Sequence, residues 1–176
     1  MIVNREWQKQ NGVSVLAAAR HVQAPFILTM GDHLFEPALL EALLENSDPA
    51  QVNLGIDRKI DSIFDLEDAT KVQTQGDRLV GISKQLTEYD AIDTGVFLCS
   101  SEIFSYLHAA QRDGDCSLSD GVRLMAADKK VRAVDIGQAW WQDVHTPEML
   151  RRAEEESARL LLNSSGRRSA EESVAC

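Results

Sequence analysis

PFILTMGDHLFEP, residues 25–37, decides the fold. Phe26–Met30 is a continuous apolar run, the pattern of a strand in a sheet covered on both faces. Glu36–Pro37 then opens a helix with Leu39, Leu40, Leu43 and Leu44 at helical spacing. Between the two elements lie Gly31 and Asp32. Loops at the carboxyl ends of strands form the ligand crevice of an open α/β sheet. Asp32 is therefore a candidate site residue, although it is equally placed to be a helix N-cap. Gly31 favours the first role, because a glycine lets the backbone turn sharply and a ligand come close.

Working outward, Asn11 is a plausible N-cap for a helix over VSVLAAARHV, which Pro25 ends. Downstream, QVNLGID (51–57) reads as a strand and RKIDSIFDLEDA is charged and irregular. KVQTQGDRLVGIS gives two alternating arms around Gly76–Asp77, a hairpin signal. DTGVFLCS (93–100) is a buried strand, followed by a helix carrying Phe104, Tyr106 and Leu107. Ser117 can cap a helix over LSDGVRLMAA, and KVRAVDI (130–136) is the last clear strand. Thr146 and Pro147 begin a long amphipathic helix to about residue 162. Residues 163–176 are polar and read as a disordered tail. Strands alternating with helices predict an α/β domain over 1–162. Its sheet is mixed and mostly parallel, with one antiparallel excursion and helices on both faces.

The net charge of −10 supplies no basic stripe for a nucleic acid. An acidic protein acting on phosphorylated substrates needs a divalent cation and a few placed lysines. Cys99, Cys116 and Cys176 show no metal or redox spacing, as expected of a reduced, cytoplasmic protein. No apolar run approaches membrane-spanning length, and neither a leader nor a membrane partner is expected.

The second candidate acid is Asp143 in AWWQDVHTPEML (139–150), at the end of a short strand, with His145 on the same face. Alone it could be a solvated turn residue. Together, Asp32 and Asp143 make a site for a hard cation such as Mg²⁺, which takes oxygen ligands and bridges to substrate phosphates. Asp32, His33, Asp143 and His145 could instead form a Zn²⁺ or Mn²⁺ hydrolase cluster, but His33 is expected to start a helix and pack locally. Trp140 and Trp141 read as core anchors.

The segments DATKVQTQGDRLVGISKQLTEYDAIDTGVFLC (68–99), SLSDGV (117–122) and WWQDVHTPEMLRRAEE (140–155), with the MGDH strand end, resemble the sugar-phosphate nucleotidyltransferases. Those that make CDP-inositol from CTP and inositol 1-phosphate are the nearest in pattern. The resemblance covers roughly residues 2–162. It implies a Rossmann-like nucleotidyltransferase fold, Mg²⁺ dependence, and cytidylyl transfer from CTP to a sugar or inositol phosphate with loss of pyrophosphate. By the same resemblance, Asp32 and Asp143 are the metal ligands, and Asn11, Gly12 and Ser14 line the nucleotide base. Lys84 meets the acceptor phosphate, Asp93, Thr94 and Gly95 hold acceptor hydroxyls, and Lys71 adds charge near the phosphates.

Two departures from the pattern matter. His145 stands where related sequences carry a second acid, which weakens Mg²⁺ binding or favours Mn²⁺. The Gly-rich phosphate loop of the family has no counterpart, so about 60 residues, or two βα units, are expected to be missing N-terminally. That would leave a sheet edge unpaired and open to self-association. The alternative is a noncatalytic remnant that keeps the sugar-phosphate pocket or serves as an interaction module.

Overall fold

The computed structural model describes the backbone of residues 1–174 and the side chains of residues 1–160. Helix α1 (Asn11–Ala18) begins two residues before the expected VSVLAAARHV and ends short of it, with Gln10 rather than Asn11 as N-cap. Asn11 instead accepts from the Leu118 N–H at the start of a later helix. Strand β1 (Phe26–Thr29) is followed by β2 (His33–Phe35), so residue 33 opens a strand rather than a helix. Asp32 lies in the turn between them and caps no helix; Glu36 is the N-cap of α2 (Pro37–Asn46). Gly31 does not have a positive φ and has open space where a Cβ would stand, so no contact within the chain calls for a glycine there.

The next strand, β3 (Val52–Asp57), is buried throughout. A charged loop with one 3-10 turn leads to the hairpin β4 (Lys71–Gln75) and β5 (Arg78–Ser83), closed by Gly76 at φ +66. Strand β6 (Ala91–Cys99) precedes α3 (Glu102–Ala110) and α4 (Leu118–Ala127). Ser117 caps α4 as expected, in a reciprocal capping box with Asp120. Strands β7 (Val131–Asp135) and β8 (Trp141–Asp143) complete the β structure. Helix α5 (Pro147–Val174) has its first turn tied by Thr146 Oγ1, which accepts from the Met149 N–H at 3.2 Å. The backbone thus stays helical past the expected end near 162, to Val174, through most of the segment expected to be a disordered tail, whose side chains lie beyond the described ones.

The main sheet runs β1-β6-β3-β7-β5-β4, with a further β6–β4 pairing; β2 and β8 form a separate two-stranded sheet. It is mixed, but the expected parallel majority is corrected: among the described residues, only β3 and β7 pair in parallel. Strand β6 explains the difference. It inserts antiparallel between β1 and β3, which themselves point the same way. Strand β1 is consequently an edge, and Ile27 is 43% exposed rather than covered on both faces.

Helices lie on both faces, as expected. Val13, Ile103, Leu107, Val122 and Met125 from α1, α3 and α4 pack on one side of the sheet with Leu54 and Phe97. Leu39 and Leu43 of α2 pack on the other side with Val96, Leu98 and Val134. Because β6 runs opposite to β1 and β3, its N-terminal end meets their carboxyl ends. Asp32, Asp57 and Asp93 thus collect at one end of the sheet. Among the described residues, no helix is long and apolar enough to cross a membrane.

Candidate active site

At that end a cleft of about 240 Å³ opens, lined by Asp32, Asp93 and Asp143 together with Asn11, Lys84 and Gly95. The two strand-end acids are brought together by the small sheet. His33 pairs with Asp143 across β2 and β8, and the Val144 N–H donates to the Asp32 carbonyl at 2.8 Å. His145 lies beside Asp143, Nδ1 to Oδ2 at 3.4 Å, and reaches Asp65 in the charged loop at 3.7 Å. The expectation that it shares the face of Asp143 holds.

Lys84 is the lone lysine or arginine in the described lining. Its Nζ donates to Asp68 Oδ1 at 2.7 Å and holds that carboxyl below the ordinary carboxylate range. Asp65 and Asp68 bring the lining carboxylates to five, so the cleft is strongly acidic. Asp93 has a different environment. Desolvation pushes its pKa up to about 6, against the Gly95 N–H, which donates to it at 2.7 Å, and the nearby His33. Gly95 has φ +72, a conformation that favours glycine, and a Cβ there would overlap the His33 ring.

Of the residues expected to line the nucleotide base, only Asn11 reaches the cleft. Its Oδ1 accepts from the Leu118 N–H at 2.8 Å, so it also supports the start of α4. Gly12 does admit close backbone approach, but of the chain itself. A Cβ there would stand 2.6 Å from the Cys116 carbonyl oxygen. Ser14 Oγ accepts from Asn4 outside the cleft lining. The Thr94 hydroxyl is buried and donates to the Gly55 carbonyl at 2.8 Å, which directs it into the sheet. Lys71 is 7% exposed and donates to the Glu67 carbonyl at 2.7 Å, away from the cleft lining.

Two further residues complete the site. The His33 ring stacks on Trp141, with centroids 5.6 Å apart, and its Nδ1 lies 2.7 Å from the Thr94 carbonyl. Trp141 packs against the apolar cluster under α2, as expected of a core anchor, and also forms a wall of the cleft. Among the described residues, no three His, Cys, Asp or Glu side chains are arranged to hold a metal ion, which corrects the four-residue hydrolase cluster. Two carboxylates remain whose other ligands would have to come from substrate and water.

No protein-family profile matches the chain. It is 32% identical over 174 residues to a protein from Thermococcus kodakarensis named bifunctional IPC transferase and DIPP synthase. That match covers 94% of this chain and 37% of the relative. A protein of the same name from Archaeoglobus fulgidus is 36% identical over 146 residues, 83% of this chain and 28% of its own length. The chain therefore spans about a third of the curated relatives. The solved inositol-1-phosphate CTP transferase from T. maritima superposes with a TM-score of 0.75 at 28% identity, covering 83% of this chain and 60% of that one. A UDP-glucose pyrophosphorylase complexed with UDP-glucose shares the fold, with a TM-score of 0.66 at 15% identity over 86% of this chain and 62% of its own.

Proposed function

We propose, for a chain that groups by sequence and fold with the sugar-phosphate nucleotidyltransferases, that this cleft transfers a cytidylyl group from CTP to a sugar or inositol phosphate. The supporting observation is the convergence of Asp32 and Asp143 in a cleft whose one lysine among the described residues is already paired. Two polyanionic substrates cannot enter so acidic a space without a cation. The donors fit one: both acids offer hard carboxylate oxygens, and Mg²⁺ commonly takes one or two protein carboxylates, completing its shell from phosphates and water. Bound there, Mg²⁺ supplies neutralisation of the phosphate charge and orientation of the triphosphate. The nearby His145 nitrogen makes Mn²⁺ an alternative.

The chain's own groups then divide the work. Lys84 leaves Asp68 to meet the acceptor phosphate, a point charge for a point charge. Asp93 and the turn at Gly95 receive acceptor hydroxyls. Asn11 borders the nucleotide side. An acceptor phosphate oxygen attacks the α-phosphorus in line and pyrophosphate leaves. The attacking oxygen is ionised near neutral pH, so no side chain need act as a general base. Catalysis rests on positioning and charge neutralisation.

The test is pyrophosphate release, with CTP, inositol 1-phosphate and Mg²⁺, by the chain joined to the family's Gly-rich phosphate loop, for which its own sequence offers no counterpart. Release is expected only with all three, and Lys84→Ala should mainly raise the acceptor KM, since the lysine binds that phosphate before and during reaction. Release that is independent of the acceptor, or an unchanged KM, contradicts the assignment.

A further inference from the structure

Behind the cleft lies a buried carboxylate that the chemistry above does not use. Asp57 ends β3 with its side chain 3% exposed. Oδ1 accepts from the Lys59 backbone N–H at 2.7 Å and from Lys59 Nζ at 2.8 Å, while Oδ2 accepts from the Trp141 indole N–H at 2.9 Å. Lys59 Nζ also donates to the Gly137 carbonyl at 2.7 Å, which ties the group to the loop before β8. Burying an ion pair seldom adds stability over apolar packing of the same volume. Its hydrogen bonds are directional, however, and here one of them fixes the plane of an indole ring.

That indole stacks on His33, whose Nδ1 faces the Thr94 carbonyl at 2.7 Å. A carbonyl can only accept, so Nδ1 carries the proton. The other nitrogen, Nε2, lies 3.8 Å from Asp32 Oδ1 in the cleft lining. In the neutral ring Nε2 is an acceptor, and so is the carboxylate. A donor placed between them satisfies the nitrogen and keeps it from facing the acid unpaired. Gly95 completes the mount, because any side chain there would displace the ring.

We infer that Asp57, acting through Trp141, is a positioning residue that holds His33 with Nε2 turned into the cleft to accept a hydrogen bond from a hydroxyl of the polyol phosphate. This rests on the acceptor assignment proposed above. Asp57 touches no substrate and sets only the ring that does.

The experiment has two readouts on the same purified chain. Nitrogen-15 NMR of the histidine rings at about pH 8.5, above the ordinary imidazole range, should show His33 in the single Nδ1–H tautomer. Trp141→Phe, which keeps an aromatic face but removes the indole N–H, should give a mixture of tautomers while the backbone amide spectrum away from the cleft is unchanged. Asp57→Asn should do the same. If Asp57→Asn fails to fold, Trp141→Phe decides, since it leaves the Asp57–Lys59 pair in place.

Calorimetric titration with inositol 1-phosphate and Mg²⁺ supplies the second readout. Trp141→Phe and His33→Asn should each weaken binding about tenfold, the scale of one hydrogen bond. His33→Gln, which can place an amide oxygen near the Nε2 position, should recover most of it. Unchanged tautomer and affinity in a folded Trp141→Phe protein overturn the inference. So does a His33→Asn protein that loses Mg²⁺ affinity but not acceptor affinity, since that would make the ring a metal ligand. A native chain that does not bind inositol 1-phosphate contradicts the proposed function and with it the hydroxyl role. The tautomer result still decides whether Asp57 orients the ring.

Discussion

Asp93 carries an unusual burden for a carboxylate, because burial raises its pKa to about 6 while only the Gly95 N–H and His33 oppose the shift. A folded-state pKa above the unfolded value means that the folded chain holds the proton more tightly. The stability this group contributes is therefore full below the unfolded value of 3.8 and is lost as pH rises through about 6. Asp93→Asn removes the titration but keeps an oxygen for the Gly95 N–H. Between about pH 4 and pH 7 the variant should gain on the native chain by on the order of 1–3 kcal/mol. Urea unfolding at a series of pH values checks this, and a difference that stays constant across the range contradicts it. Residues such as Asp32 and Asp143 were legible in the sequence because a strand followed by an acid is a local pattern. Thr94 and Ser14 were not, since the direction of a short side chain is set by what lies opposite it. His33 was named as a metal-cluster candidate, but its place against Thr94 was not legible for a related reason: that hydrogen-bond partner is 61 residues away.

At the scale of elements, α1 and α4 are joined by contacts that local propensity does not describe. Asn11 supports the first N–H of α4, Ser117 closes its capping box with Asp120, and Gly12 lets the two segments touch. Gly12→Ala sets a methyl against backbone oxygens of Cys116 and Ser117, which cannot move as a side chain would. It should cost about 1–3 kcal/mol, read as a lowered denaturant midpoint; an unchanged midpoint would show that the contact is slack. Ser117→Ala should cost about 1 kcal/mol through the lost cap. Most strand and helix positions were readable from periodicity and turn residues. Strand direction was not. Nothing in AIDTGVFLC says that it will run antiparallel between two strands that point the other way, because register and direction are properties of the assembled sheet.

Across the whole molecule, the pairing of β6 with β4 leaves β1 as the exposed edge of the main sheet among the described residues. Ile27 and Trp7 are both exposed, at 43% and 73%. Charge opposes association, with −10 on 176 residues, but an apolar edge strand favours it. If that edge pairs between copies, Ile27→Lys should lower the apparent mass in sedimentation at high protein concentration. Equal masses for the two proteins would exclude the edge as a contact. The same charge balance sets the requirement at the cleft: phosphates come to an acidic protein only where a cation meets them. The most direct measurement is calorimetric titration of Mg²⁺ and of Mn²⁺ into the native chain, into Asp32→Asn, into Asp143→Asn and into the double variant. One site should be seen in the native chain and lost in either single variant, with the double variant no worse than the singles. Undiminished binding in either single variant would show that the two carboxylates do not share an ion.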